Sequence, residues 1–150
     1  PPKPVGSVEI DSSLNLLDHE FLVLACGGGG VPVVRHGSGL YEGVPAVIDK
    51  DFSSAALAQA VNADYLFILT AVDRVAINWG KPDQQEIEEM TVAQAEEYCK
   101  QGQFAKGSVL PKVEAAIHFA KADPKNRAVI ASLDKAPLAM QGQSGTVIRL

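Results

Sequence analysis

Cysteine is scarce in this sequence, two in 150 residues, and neither Cys26 nor Cys99 has a metal-ligand spacing around it. A disulfide framework and a cysteine zinc site are therefore unsupported. Two reduced thiols are the simple expectation, with a single disulfide as the lesser alternative. Histidine is as sparse. His19, His36 and His118 are scattered, and only His36, in a glycine-rich loop, lies where a ligand could be expected. No Ser-His-Asp order, H-E-x-x-H or Cys-x-x-Cys occurs, so hydrolase and zinc chemistry lack a footing. Long apolar runs are missing too. The longest, Phe21 to Cys26, has the length of a buried strand and falls far short of the roughly 20 residues that span a bilayer. Positive charge is not in excess: 18 acidic against 13 basic residues leave a net charge of -5. That balance supplies no electrostatic reason to bind nucleic acid or an anionic membrane. The opening Pro1-Pro2-Lys3-Pro4 has neither a signal-peptide pattern nor an initiator Met. It reads as a linker entered from upstream, as in a fragment of a longer cytoplasmic chain.

What is present is an ordinary globular composition, 47% apolar and 21% charged, enough for one domain with a real core. Residues 1–20 are expected to be a linker with a possible first helix, and 21–150 one α/β domain. Phe21–Cys26 reads as a strand buried on both faces, stopping at Gly27-Gly28-Gly29-Gly30. Val31–Val34 is expected to continue the sheet despite Pro32, and His36–Gly43 to be a loop. Val44–Ile48 reads as a short strand closed by Asp49-Lys50-Asp51. Asp51–Val61 has the small apolar residues of a helix packed closely on a sheet, with Asp49 or Asp51 as its N-cap. Tyr65–Thr70 is the clearest buried strand, and Asn78–Asp83 a turn-rich loop. Thr91–Gln101 carries Thr91 and Gln94 at capping-box spacing, with Gly102 beyond its end. A helix from Gly107-Ser108 to about Ala120 and strands at Arg127–Ala131 and Gly145–Leu150 complete the pattern. Such alternation argues for an α/β fold: a mostly parallel sheet with helices on both faces, binding ligands at the carboxyl ends of its strands.

Three features stand where that rule points. Gly27–Gly30 is neither a P-loop nor a dinucleotide fingerprint. Four glycines exceed the needs of a turn and suit close backbone approach to an oxyanion or small planar substrate, although a tight strand-exit turn is the plainer alternative. Asp49-Lys50-Asp51 sets a cation between two carboxylates at a strand-to-helix junction. Lys50 could offer its ammonium to a transferring phosphoryl group, with an aspartate fixing it; a solvated loop with an Asp cap fits the local sequence equally. Lys112 lies near the start of a helix, whose free amides and dipole suit a polyphosphate. A lysine there is otherwise at the wrong end of the dipole, and a solvated surface lysine is the alternative. Asn78-Trp79-Gly80-Lys81-Pro82 could cover an adenine or ribose, or simply form a surface loop.

Taken together, these segments resemble the carbamate kinases of the amino acid kinase family. The resemblance rests on Ala25–Val33, Ala46-Val-Ile-Asp-Lys-Asp-Phe52, Ile68-Leu-Thr-Ala-Val-Asp73, Ile77-Asn-Trp-Gly-Lys-Pro82, Phe104–Ala116 and Gly145-Thr-Val-Ile148, in family order over nearly the whole chain. It implies phosphoryl transfer between ATP and carbamate, giving ADP and carbamoyl phosphate, with Mg²⁺. By the resemblance, Lys50 contacts the phosphoryl group in flight, Asp51 orients the active-site lysines, and Lys112 holds nucleotide phosphates. Thr70, Ala71, Val72 and Asp73, with Asn78, Gly80 and Pro82, border the nucleotide, beside Gly107 and Ser108. Gly27, Gly28, Gly29, Gly30 and Asp49 face the substrate. The family's homodimer is implied as well. Ala76 stands where these kinases usually have tyrosine, and Lys106 where they have proline; neither change removes a charge the chemistry needs. The family enzyme is longer, and its leading half carries another glycine-rich loop, another lysine and much of the carbamate site. Two other expectations stay open: a nucleotide-binding module that no longer catalyses, and another acid or amino acid kinase of the same fold.

Overall fold

The computed structural model describes residues 2–150. The chain divides into two compact units, Pro1–Val61 and Asn62–Leu150, so the division falls inside the stretch expected to be one domain.

The first unit begins with helix α1, Ile10–Asp18. Strands β1 (Val33–Arg35) and β2 (Tyr41–Gly43) pair antiparallel as a hairpin, with Arg35 opposite Tyr41. The region expected to be a loop thus holds a strand, and Val33–Arg35 joins a local hairpin rather than the main sheet. Helix α2, Lys50–Ala60, follows, with Ala55 and Ala58 buried. Phe21–Cys26 and Val44–Ile48 form no strands. A strand exists by pairing, and β1–β2 is the one ladder of this unit among the described residues. Without a ladder the apolar run has no face to bury. Leu22 and Leu24 are each 93% exposed, and Phe21 and Val47 are exposed with them.

The second unit carries the main sheet. Strands β3 (Tyr65–Thr70), β4 (Val75–Ile77), β5 (Gln85–Ile87) and β6 (Glu89–Thr91) precede helices α3 (Val92–Lys100) and α4 (Val109–Ala122). Strand β7 (Arg127–Ser132), a short 3-10 turn (Leu133–Lys135), helix α5 (Ala136–Met140) and strand β8 (Thr146–Arg149) follow. The sheet order is β3-β7-β8-β6. Two of its three pairings are parallel, β3 with β7 and β6 with β8, while β7 and β8 run antiparallel. The fold is thus α/β with a mostly parallel sheet, as the alternation of elements required.

Strand β7 is buried on both faces because helices cover both. Val129 and Ala131 pack with Ala139 of α5, and on the opposite face Ala128 and Ile130 are also fully buried, with α4 packed against the strand. Small residues on α4 (Ala115, Ala116 and Ala120, all buried) allow that close approach. Helix α3 starts at the expected capping box: Thr91 Oγ1 accepts from the Gln94 amide, and the Gln94 side chain accepts from the Thr91 amide. β4 and β5 form a separate hairpin, which Thr146 ties to β8. Its fully buried hydroxyl accepts from the Val75 amide at 2.9 Å and donates to the Ile87 carbonyl at 2.5 Å. Thr146→Val keeps the shape and deletes both bonds. It is expected to lower unfolding stability by about 1–3 kcal/mol, read as a reduced urea midpoint at unchanged slope.

Candidate functional site

Each unit brings part of the predicted residue set together. In the first, the glycine loop is docked onto the start of α2. Asp49 is the N-cap: its Oδ1 accepts from the Asp51 amide at 2.7 Å, which satisfies one of the helix's orphan donors. The choice between Asp49 and Asp51 is therefore made in favour of Asp49. Gly29 lies so close that a Cβ built on it would come within 2.0 Å of the Ile48 carbonyl oxygen, and its φ is +132°. Ser53 Oγ, one turn into α2, donates to the Gly29 carbonyl at 2.7 Å. The loop that follows Cys26 and the helix start that carries Lys50 are thus one rigid piece. Sequence reasoning missed Ser53, whose only signal was a small hydroxyl one turn after an Asp cap.

Lys50 is the first residue of α2 and is exposed, whereas Asp51 beside it is buried, at 7% exposure. The expectation that a neighbouring aspartate fixes the Lys50 ammonium is not met by Asp49, whose carboxylate is engaged in capping. An exposed ammonium at a helix N-terminus adds to the positive end of the dipole instead of being neutralised, which draws an anionic ligand to this point.

In the second unit the parallel pairing of β3 and β7 places Thr70 opposite Ser132 at one edge of the sheet. Helix α4 packs on β7 and reaches it through the short connection Asp123–Asn126, so the two run antiparallel and the N-terminal end of α4 lies towards that same edge. Lys112, half-buried in the first turns of α4, therefore belongs to the edge at which Thr70, Ala71, Val72 and Asp73 leave β3. Gly107 and Ser108 are exposed just before the helix. One expectation changes here. The Val109 and Leu110 amides already bond the Ala105 carbonyl, at 3.1 and 3.0 Å, and Pro111 has no amide hydrogen, so the first turn is not a set of free donors. A phosphate at this end depends on the Lys112 charge more than on helix amides.

Asp73 is held by Lys135 through an ion pair. The Lys135 ammonium first, and then the Ser132 hydroxyl that faces it, keep the Asp73 carboxyl below its ordinary value. Next to it, Arg74 anchors the turn, pairing with Glu88 at 3.0 Å and donating from Nε to the Gly145 carbonyl at 3.4 Å. Asn78–Pro82 forms the tip of the β4–β5 hairpin. Asn78 takes a positive φ of 53°, its amide donates to Gln103 Oε1 at 3.0 Å, and its side chain donates to Asp83 Oδ2 at 2.9 Å. The Gly80 amide donates to Gln84 Oε1 at 2.9 Å, while Trp79 is exposed. The tip is pre-formed, and its backbone donors are largely used internally.

Neither thiol enters this chemistry. Cys26 and Cys99 are free, and burial pushes both above the ordinary thiol value, so neither is a thiolate near neutral pH. His36 pairs with Glu42 at 2.7 Å on the exposed β1–β2 hairpin. Among the described residues no group of three or more His, Cys, Asp or Glu side chains could hold a metal, and no helix is long and apolar enough to cross a membrane.

The amino acid kinase family model matches residues 2–132. The chain belongs to the amino acid kinase family. Among its relatives, a carbamate kinase of Clostridium perfringens (strain 13 / Type A) is 52% identical over 147 residues, covering 98% of this chain and 46% of that protein. A carbamate kinase-like protein of Escherichia coli (strain K12), YqeA, is 48% identical over 98% of this chain and 47% of that protein. Among solved structures, a carbamate kinase from Giardia lamblia bound to AMP-PNP superposes with a TM-score of 0.93 at 41% identity, over 99% of this chain and 46% of that one. The chain spans about half the length of the curated relatives it matches. Sequence reasoning reached the family; it did not reach Ser132, Lys135 or Arg74. Ser132 could have been found by applying the strand-end rule to β7 as it was applied to β3. Lys135 and Arg74 carry no local signal.

Proposed function

We propose that this chain is the nucleotide-binding portion of an enzyme that transfers a phosphoryl group between ATP and carbamate, with ADP and carbamoyl phosphate on the other side. The observation that carries the proposal is the docked pair of the glycine loop and the α2 start, which presents Lys50 beside a rigid backbone cradle. Its similarity to carbamate kinases, one of them bound to an ATP analogue, supports the same conclusion. Phosphoryl transfer asks little covalent chemistry of a protein and much positioning and charge. Lys50 contacts the phosphoryl group in flight, Asp51 orients the active-site lysines, and Lys112 holds the nucleotide phosphates. Thr70–Asp73 and the Asn78–Pro82 tip, with Gly107 and Ser108, border the nucleotide; Gly27–Gly30 and Asp49 face the acceptor.

Mg²⁺, when bound, would supply positive charge that offsets the charge of the nucleotide phosphates. This metal usually keeps several waters and is held by one or two carboxylates plus substrate phosphates; Asp51, beside Lys50, is the carboxylate here that is not engaged in capping α2 and would help to hold it. The exposed Phe21, Leu22, Leu24 and Val47 suit cover by the leading half that the longer relatives carry, in an enzyme that functions as a cytoplasmic homodimer. The test is ATP formation from ADP, Mg²⁺ and carbamoyl phosphate. The 150-residue chain alone is expected to show negligible turnover, and the chain joined to the leading half of the Clostridium perfringens relative to recover it. Substantial turnover by the chain alone would contradict the half-site proposal, and an inactive but folded chimera would contradict the assigned reaction.

A further inference from the structure

The carboxyl ends of β3 and β7 hold polar groups that phosphate handling leaves unexplained. Ser132 closes β7 opposite Thr70 and is 6% exposed. Its hydroxyl oxygen has no hydrogen-bond partner among the described residues. A buried hydroxyl without a partner is costly, and each such group in a native fold calls for a reason. It faces the Asp73 carboxylate and helps to hold that carboxyl below its ordinary value. Lys135 reaches the same carboxylate from the 3-10 turn directly after Ser132 and contacts Oδ2. One four-residue stretch, Ser132-Leu133-Asp134-Lys135, thus supplies both groups, and both charged side chains of the pair are about half exposed.

A carboxylate only accepts, and its two oxygens offer about four acceptor positions. Lys135 takes one on Oδ2, which leaves an acceptor face open to solvent. An incoming phosphate is repelled there by like charge; a ligand group that donates is not. The two hydroxyls of a vicinal diol match the two oxygens of one carboxylate, whereas a single amino group uses one.

We propose that Asp73 accepts the ribose hydroxyls of a bound nucleotide, with Lys135 and Ser132 as its positioning residues. Lys135 steadies the carboxylate from the solvent side. Ser132 is the donor on which the inner oxygen settles once the carboxylate turns to meet the diol. This assignment rests on the nucleotide-binding proposal above and specifies the part of the ligand that reaches this edge.

The experiment is calorimetric titration of the 150-residue chain with Mg²⁺ and three probes: ADP, 2′,3′-dideoxy-ADP and inosine diphosphate. The chain is compared with Asp73→Asn, Lys135→Met, Lys135→Arg and Ser132→Ala, each checked for fold by circular dichroism. The unaltered chain is expected to bind dideoxy-ADP about 10-fold more weakly than ADP. Asp73→Asn and Lys135→Met should shrink that ratio to below about twofold, Ser132→Ala should shrink it partway, and Lys135→Arg should keep it. A purely structural role would weaken ADP and dideoxy-ADP alike and leave their ratio unchanged. Binding of ADP without discrimination against dideoxy-ADP overturns this assignment and leaves the nucleotide proposal standing. Discrimination against inosine diphosphate alone transfers the contact to the adenine amino group and overturns the ribose assignment. A ratio that survives both Lys135→Met and Ser132→Ala overturns their positioning roles. Failure to bind ADP at all overturns this assignment together with the nucleotide proposal.

Discussion

Lys50→Ala, in the chain joined to the leading half of a carbamate kinase, is expected to lower kcat by about 10²–10³-fold. The transferring phosphoryl group spreads negative charge over its equatorial oxygens, and a preorganised cation there stabilises the transition state more than the bound substrates. Lys50 is suited to that task because its backbone is anchored while its ammonium stays exposed. It is the first residue of α2, the Asp49 carboxylate is occupied in capping the Asp51 amide, and Ser53 ties the helix to the glycine loop. Lys112→Ala should depress kcat sharply as well and also raise KM for the nucleotide, since in this half of the site the first-turn amides of α4 are already spent on Ala105. Steady-state kinetics of both variants in the ATP-forming direction check the assignment. Unchanged kcat in both would remove Lys50 and Lys112 from the phosphoryl site.

Gly29→Ala is the second large effect expected, and it separates four glycines that look alike in sequence. A methyl group on Gly29 would meet the Ile48 carbonyl oxygen at 2.0 Å, on backbone that has nowhere to yield, at a φ of +132°. The loop must lift from α2, losing the 2.7 Å bond from Ser53. A cost of about 2–4 kcal/mol is expected for combined strain and lost contact. It should appear as faster amide exchange in the first turn of α2 and, in the joined enzyme, as lost activity. Gly28→Ala is the control. Nothing lies within 4 Å of a Cβ built there, and its φ is not positive, so stability should stay within about 0.5 kcal/mol. Equal behaviour of the two variants would show that the loop is not docked as described.

Much of the second unit was legible because its signals are local. Tyr65–Thr70 has the same bounds as expectation and structure. The Thr91–Gln94 capping box and the glycine beyond Gln101 mark α3, because a cap is a contact between residues three apart. The hairpin β4–β5 was less visible. Its strands are three residues each, too short for a period to show, and Thr146, far along the chain, secures them.

In the first unit the same reasoning failed for a physical reason. Phe21–Cys26 and Val44–Ile48 have the composition of buried strands, but composition records what a strand needs and not whether a partner is there. Among the described residues no strand pairs with either, and Phe21, Leu22, Leu24 and Val47 are left exposed.

The residue types of the site, its family and the order of its motifs were determined by sequence alone: Gly27–Gly30, Asp49-Lys50-Asp51, Thr70–Asp73 and Lys112 are short signals written in neighbouring positions. Tertiary structure decided what each of them does there. It made Asp49 a cap, left Lys50 an exposed cation, turned Gly29 into the close contact, and set Ser132 and Lys135 around Asp73. The Asp49 cap is local, but the docking of Gly29 on Ser53 and of Lys135 on Asp73 joins groups 24 and 62 residues apart, and only pairing and packing bring those to one helix start and one sheet edge.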